Sequence, residues 1–147
     1  MIRLTVNDLT LVKDGLTFLD EIQLEARPGA VHLVVGPSGS GKSLLGRTIA
    51  GLEEDAEGEI YLDGRDMMAI PPDRRRIGWV AEQNGLWLGY SVFANVEFGL
   101  KVKRIPRQER KDRVSEALGW FGADSLRDRR VETLSPLEAR RVAMARS

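Results

Sequence analysis

Gly36-Pro37-Ser38-Gly39-Ser40-Gly41-Lys42-Ser43 is the stretch on which the reading of this chain turns. It fits the pattern G-x-x-x-x-G-K-[ST], and the pattern carries a mechanism. Glycines let consecutive backbone N–H groups converge on one anion, where a side chain would block the approach. The N-terminus of a following helix adds partial positive charge. Lys42 is placed to reach the β- and γ-phosphates of a nucleotide, and the Ser43 hydroxyl to ligate Mg²⁺. At average residue usage the pattern arises by chance in about one chain in 200 of this length. The flanks make coincidence rarer still. Ala30 to Val35 is apolar on both faces apart from His32, as in a strand inside a sheet covered on each side. Lys42 to Ala50 reads as a helix, which Gly51 can end in the left-handed conformation.

On the N-terminal side, Leu4 and Val6 alternate with Thr5, and Leu19, Ile22 and Leu24 are interleaved with polar residues. Both stretches predict half-buried antiparallel strands, with a turn at Pro28-Gly29. Beyond the loop, Glu59–Leu62 is a short strand turned by Asp63-Gly64, and Ile77–Ala81 is another. From Ser91 the period becomes helical. Ser91 can cap a helix carrying Val92, Val96 and Leu100, and Pro106 suits the first turn of a longer one with Val114, Ala117, Leu118 and Phe121 on one stripe. Basic residues from Lys101 to Arg104 read as a solvated face. The fold class is therefore α/β, with a strand-rich part over about 1–83 and a helical part over 84–147.

Composition narrows the function classes. The 22 Lys+Arg balance 22 Asp+Glu, so sequence-independent attraction to nucleic acid is missing. A chain of 147 residues, 30% charged and 42% hydrophobic, is that of a soluble globular domain. The absence of cysteine excludes disulfides, thiolate catalysis and Cys-based zinc sites. The apolar run Val31 to Val35 is far too short to span a bilayer, and the alternation from Met1 to Asp8 does not read as a signal peptide.

The loop does not stand alone. Ile49-Ala50-Gly51-Leu52-Glu53 follows it, then Gly58 to Gly64, Pro71 to Val80, Ser91 to Val96, and Leu134-Ser135 through Arg141 to Arg146. In this order and at these spacings, over nearly the whole chain, the sequence resembles the nucleotide-binding subunits of ATP-binding cassette (ABC) transporters, the bacterial importer type in particular. The resemblance implies a P-loop NTPase fold of the ABC kind: an antiparallel β subdomain, part of a RecA-like core, and a helical subdomain. It implies ATP and Mg²⁺ held by Gly36, Pro37, Ser38, Gly39, Ser40, Gly41, Lys42, Ser43 and Leu44, with Ser43 on the metal. It also implies transmembrane partner subunits, a second nucleotide-binding subunit, and a cytoplasmic position on the inner face of the cell membrane.

Several positions depart from the family pattern. Leu44 stands where a threonine usually helps hold the α-phosphate; losing one charge-assisted hydrogen bond, worth about 1.5–3 kcal/mol, weakens ATP binding without abolishing it. Glu82 falls at the position of the family's Q-loop glutamine, with Gln83 beside it, and either can serve magnesium and water. Val12 and Lys13 occupy the region of the aromatic that stacks on adenine; Phe18 is the nearest ring and is expected in the core. The signature Leu-Ser-Gly-Gly-Gln is replaced by Leu134-Ser135-Pro136-Leu137-Glu138. Ser135 keeps the serine, yet Pro136 has no N–H and Leu137 limits close approach. The same residues form a capping box, with Ser135 as N-cap and Glu138 three residues on.

The sequence ends at Ser147, before the positions of the family's Walker B strand and switch histidine. The expectation is a truncated cassette that hydrolyses ATP weakly by itself. His32 precedes the loop and is expected to pack, as are Trp79, Trp120 and Phe121; Trp87, Leu88 and Tyr90 suit an interface as well as a core. Arg74, Arg75 and Arg76 are expected to pair with acids at the surface. Two other classes compete with the transporter ATPase: a non-catalytic regulatory module descended from the family, and a small P-loop kinase, against which nothing reads as an acceptor-binding lid.

Overall fold

The structure, a computed structural model, describes residues 3–147, so the Met1 and Ile2 part of the N-terminal alternation lies outside the described residues. The chain divides into two compact units, Met1–Trp79 and Val80–Ser147.

In the first unit, β1 (Leu4–Lys13) and β2 (Leu16–Ala26) form an antiparallel hairpin. Asp14 and Gly15, both at positive φ, make its two-residue turn, whose backbone twist matches that of paired strands. β3 (Ala56–Leu62) pairs with the other edge of β1, and β4 (Arg65–Asp66) follows the Asp63-Gly64 turn, giving the order β2-β1-β3-β4. A strict period of two would send Val6 and Leu9 to opposite faces. A bulge at Asp8, with φ +48°, resets the alternation so that Val6, Leu9 and Leu11 all reach the core. Gly58 lies against that bulge at φ +110°, where a Cβ would come within 2.6 Å of the Asp8 carbonyl oxygen. Ile60, Leu19 and Met67 complete the layer.

Helix α1 (Lys42–Ile49) adds Leu45 to this core and turns Thr48 inward. Gly51 follows at φ +80°, the left-handed stop its position suggests. Glu53 then folds back between Lys13 of β1 and Arg47 of α1, its side chain only 4% exposed, with Arg47 Nε at 2.5 Å. The hydrogen bond from Lys13, opposed by burial and aided by Arg47, holds its carboxyl below the ordinary 4.5. A depressed carboxylate pKa contributes stability that is complete above the unfolded value and is lost as pH falls through the folded one. Urea midpoints measured from about pH 6 down to about pH 3 should therefore decline more steeply for the wild type than for Glu53→Gln. Parallel curves would remove this linkage.

Ala30–Val35 is not a strand. It runs as irregular chain, with Val31 98% and Leu33 83% exposed. A strand apolar on both faces needs ladder partners on its edges, and residues 30–35 pair with none of the four strands of this sheet. His32 is likewise exposed rather than packed; its Nε2 accepts the Arg27 N–H at 2.9 Å. Ile77–Ala81 also carries no ladder.

The second unit is helical: α2 (Val92–Val102), α3 (Arg107–Trp120) and α4 (Pro136–Arg146). Val92, Val96, Val114, Leu118 and Val142 meet in its core. Ser91 caps α2, its hydroxyl accepting the Ala94 N–H at 3.1 Å, whereas Pro106 precedes α3 in an extended conformation instead of entering its first turn. Buried Asn95 ties the preceding loop to α2: its Oδ1 accepts the Trp87 N–H at 2.8 Å, and its Nδ2 donates to the Trp87 carbonyl at 3.1 Å. Trp120, expected in the core, is 75% exposed. Two residues beyond inward-facing Leu118 is about 200° around the helix, so Trp120 points out. No helix among the described residues is long and apolar enough to cross a membrane.

Candidate functional site

The loop before α1 has the shape its glycines allow. Gly39 and Gly41 both sit at φ +83°, a conformation that strains any residue with a Cβ. A Cβ at Gly41 would also press to 3.0 Å against the Phe18 carbonyl oxygen, and one at Gly36 would lie 2.8 Å from Ser40 Oγ. Two backbone bonds brace the loop: the Ser40 N–H donates to the Pro37 carbonyl at 3.3 Å, and the Leu45 N–H to the Gly41 carbonyl at 2.8 Å.

No side chain caps α1, and its first turn holds no acid. The N–H groups a helix cannot satisfy internally are thus left for an anion. Lys42 folds over the loop, its Nζ donating to the Pro37 carbonyl at 2.6 Å and to Ser40 Oγ at 3.3 Å. Ser43 is exposed beside it. Leu44 packs its side chain on the sheet core, so only its backbone can serve a ligand. Among the residues lining this hollow of about 250 Å³ there is an ammonium, a hydroxyl and a helix N-terminus, and no carboxylate. That donor set fits a chain of phosphates carrying a divalent cation.

Phe18 belongs to the same hollow, together with Gly39, Gly41, Lys42, Ser43 and Leu44. The expectation of a core residue is wrong: Phe18 is 48% exposed. Its neighbour Leu19 takes the inward position on β2, and alternation turns Phe18 outward. Its ring therefore flanks the Gly36–Ser43 loop, a placement that chain distance from Gly36 concealed.

Sequence reading also missed the far end of α1. Arg75 is buried, not surface-paired. Its Nη1 donates to the Ile49 carbonyl at 2.9 Å and the Thr48 carbonyl at 3.2 Å, and its Nε to the Ile70 carbonyl at 2.7 Å. A cation at a helix C-terminus is favourable, and here it satisfies carbonyls the helix leaves over. Burial lowers the guanidinium pKa from its ordinary value, though arginine stays charged. Arg74 and Arg76 are exposed. Nothing in a run of three arginines marks the middle one as buried. Trp79 is half-buried, its ring lying on the α1 backbone where a Cβ at Gly46 would come within 2.5 Å.

The remaining expected site residues lie in the second unit. Glu82 and Gln83 are exposed on a turn closed by the Asn84 N–H on the Ala81 carbonyl at 3.0 Å. Ser135 is engaged in the capping box. The Glu138 carboxylate accepts the Ser135 N–H at 2.7 Å, and Ser135 Oγ accepts the Glu138 N–H at 3.4 Å. Those Ser135 hydrogen bonds, ahead of nearby Arg129, hold the Glu138 carboxyl below its ordinary range. Pro136 opens α4 and Leu137 is exposed. Trp87, Leu88 and Tyr90 are exposed as well, with the Trp87 ring 4.4 Å from that of Phe98. No group of three or more acidic or histidine residues able to hold a metal occurs among the described residues.

Comparison with known proteins bears on the same stretches. The family model described as ABC transporter matches residues 19–147. The molybdate/tungstate import ATP-binding protein WtpC of Pyrococcus horikoshii is 40% identical over 139 residues, covering 94% of this chain and 40% of that protein. The sulfate/thiosulfate import ATP-binding protein CysA of Mycobacterium tuberculosis is 37% identical over 144 residues, covering 98% of this chain and 41% of that protein. The chain thus spans about 40% of the length of these curated relatives. Among solved structures, cbiO1 from Clostridium perfringens, part of the ABC transporter complex cbiONQ, matches with a TM-score of 0.81 at 30% identity, covering 97% of this chain and 59% of that one. A dimeric bacterial ABC transporter cassette matches with a TM-score of 0.83 at 27% identity, covering 97% of this chain and 68% of that one. A glycine-built cradle at the mouth of α1, within a match that runs from residue 19 to residue 147, leaves one assignment: this chain belongs to the ABC transporter family.

Proposed function

We propose that this chain is the ATP-binding part of an importer-type ABC transporter subunit, coupling ATP binding and hydrolysis to substrate import through a membrane partner. The observation that carries the reading is the uncapped, acid-free start of α1 beneath the Gly39–Gly41 turn, with Lys42 folded over it. The amides from Gly39 to Leu44 would hold the phosphates, and Gly36, Pro37, Ser38 and Ser40 would shape the loop around them. Lys42 would exchange its bond to the Pro37 carbonyl for phosphate oxygens. Ser43 would hold Mg²⁺, which when bound neutralises charge on the phosphate chain. Glu82 and Gln83 would serve the metal and the attacking water.

The partners are transmembrane subunits and a second nucleotide-binding subunit, with no nucleic acid, and the chain works at the cytoplasmic face of the membrane. The relatives' names as import ATP-binding proteins and the dimeric solved cassette support this. A second reading, a regulatory nucleotide-binding module, is favoured by the capping box, which spends Ser135 on its own helix.

Calorimetric titration with MgATP tests the reading: saturable binding that weakens without Mg²⁺ is expected, and no saturable heat would overturn it. Phe18 supplies the base with a flat apolar face in place of the ring missing near Val12 and Lys13. Base–aromatic stacking is worth about 1–3 kcal/mol, so Phe18→Ala should weaken ATP binding roughly tenfold. Tripolyphosphate, which has no base, should bind both proteins equally. An equal loss for both ligands would mean that Phe18 supports the loop instead.

A further inference from the structure

The turn that carries Glu82 and Gln83 is held from one side by two arginines of α4. Arg140 Nη1 donates to the Ala81 carbonyl at 2.7 Å. Arg146 Nη1 donates to the Gly85 carbonyl at 2.7 Å and its Nη2 to the Asn84 carbonyl at 3.2 Å. The Arg146 guanidinium also lies over the Trp87 ring, 4.7 Å from its centroid, a favourable cation–π placement. Other arginines of this unit behave differently: Arg110 pairs with Glu97 and Arg129 with Glu138. Neither Arg140 nor Arg146 meets a carboxylate within ion-pair distance among the described residues. Their fork-shaped donors are directed to the backbone of one short loop. Burial lowers the Arg146 guanidinium pKa from its ordinary value, as expected for a cation withdrawn from water.

Asn84 and Gly85 are both at φ +60°, the left-handed conformation that asparagine and glycine adopt in tight turns. Asn84 Oδ1 is buried without a hydrogen-bond partner. The loop also makes few ladder or helix bonds of its own; besides the arginines, Asn95 anchors it at Trp87.

We infer that Arg140 and Arg146 are positioning residues that hold the Ala81–Trp87 loop on α4 and so set where Glu82 and Gln83 present their side chains. The inference rests on the reading of Glu82 and Gln83 as groups serving the nucleotide's metal. A rigid helix gripping the loop at both ends makes the loop's position follow that of α4. Lysine would keep the charge at position 146 but could not span two carbonyls and a ring face at once.

Two measurements on the chain test this. Hydrogen exchange reads the loop directly: in Arg140→Met and Arg146→Met, amides 82–87 should exchange at least tenfold faster, with Arg146→Lys in between. Protection around Val96, Val114 and Leu118 should stay unchanged. Unaltered loop exchange, or faster exchange spread evenly over α2, α3 and α4, overturns the inference. The second measurement is the Mg²⁺ concentration that half-saturates the Mg²⁺-dependent gain in ATP affinity. It should rise several-fold in the methionine variants, while ATP affinity without Mg²⁺ stays constant. Local exchange changes with no magnesium shift would reduce the arginines to a structural tether and overturn the positioning role. The exchange arm needs no nucleotide, so failure of wild-type ATP binding would sink the functional reading while leaving the clamp itself decided. If Arg146→Met does not fold, Arg140→Met and Arg146→Lys carry both measurements.

Discussion

Lys42→Ala should abolish measurable MgATP binding at concentrations where the wild type saturates. The ammonium already sits over the cradle, bonded to the Pro37 carbonyl and Ser40 Oγ. Both partners are neutral, so phosphate oxygens would outcompete them. Charge-assisted hydrogen bonds contribute about 1.5–3 kcal/mol each. Losing two therefore costs well over a hundredfold in affinity, at about 1.4 kcal/mol per factor of ten. The fold should not change, because the loop is braced independently through Ser40 and Leu45. A surface substitution of this kind moves stability by about 0.5 kcal/mol or less. Calorimetry and a urea unfolding curve on one preparation separate these effects. Equal affinity in the variant would remove the phosphate-cradle argument.

The largest loss of stability should come from Arg75→Ala. This side chain bonds the carbonyls of Thr48 and Ile49 at the end of α1 and that of Ile70 beyond it. Deleting it leaves the Ile49 and Ile70 carbonyls without that donor, while the Thr48 carbonyl keeps the Gly51 N–H, and each unsatisfied acceptor costs about 1–3 kcal/mol unless water reaches it. A drop of about 3 kcal/mol is expected. Trp79 fluorescence should report it, since that ring lies on α1. Arg75→Lys should recover only part, because one ammonium cannot replace a fork of donors. A change below about 0.5 kcal/mol would mean that solvent satisfies these carbonyls. Function should follow stability here, because α1 begins with the residues that line the cradle.

Local features of the chain were open to reading wherever a short-range rule governed them. The glycine spacing, the stop at Gly51, the cap at Ser91 and the capping box at Ser135 each depend on neighbours within a few residues. Core positions along β1 and β2 were partly readable. The bulges that bring Val6 and Leu9 to one face left no compositional trace. Side chains whose surroundings come from distant segments were misassigned. Local pattern puts Phe18 and Trp120 inside, yet both are exposed, and it puts Arg75 outside, yet it is buried.

Ala30–Val35 marks the boundary between the two kinds of information. Its apolar pattern states a preference for burial, but burial requires partners on its edges, and a pattern cannot supply them. From sequence alone came the place and form of the Gly36–Ser43 loop, because its conformation is written into glycines that act on their own backbone. Only the tertiary structure decided which ring faces that loop, which arginine closes α1, and which arginines grip the turn bearing Glu82 and Gln83. Those contacts join residues far apart in the chain, and packing rather than local propensity selects them.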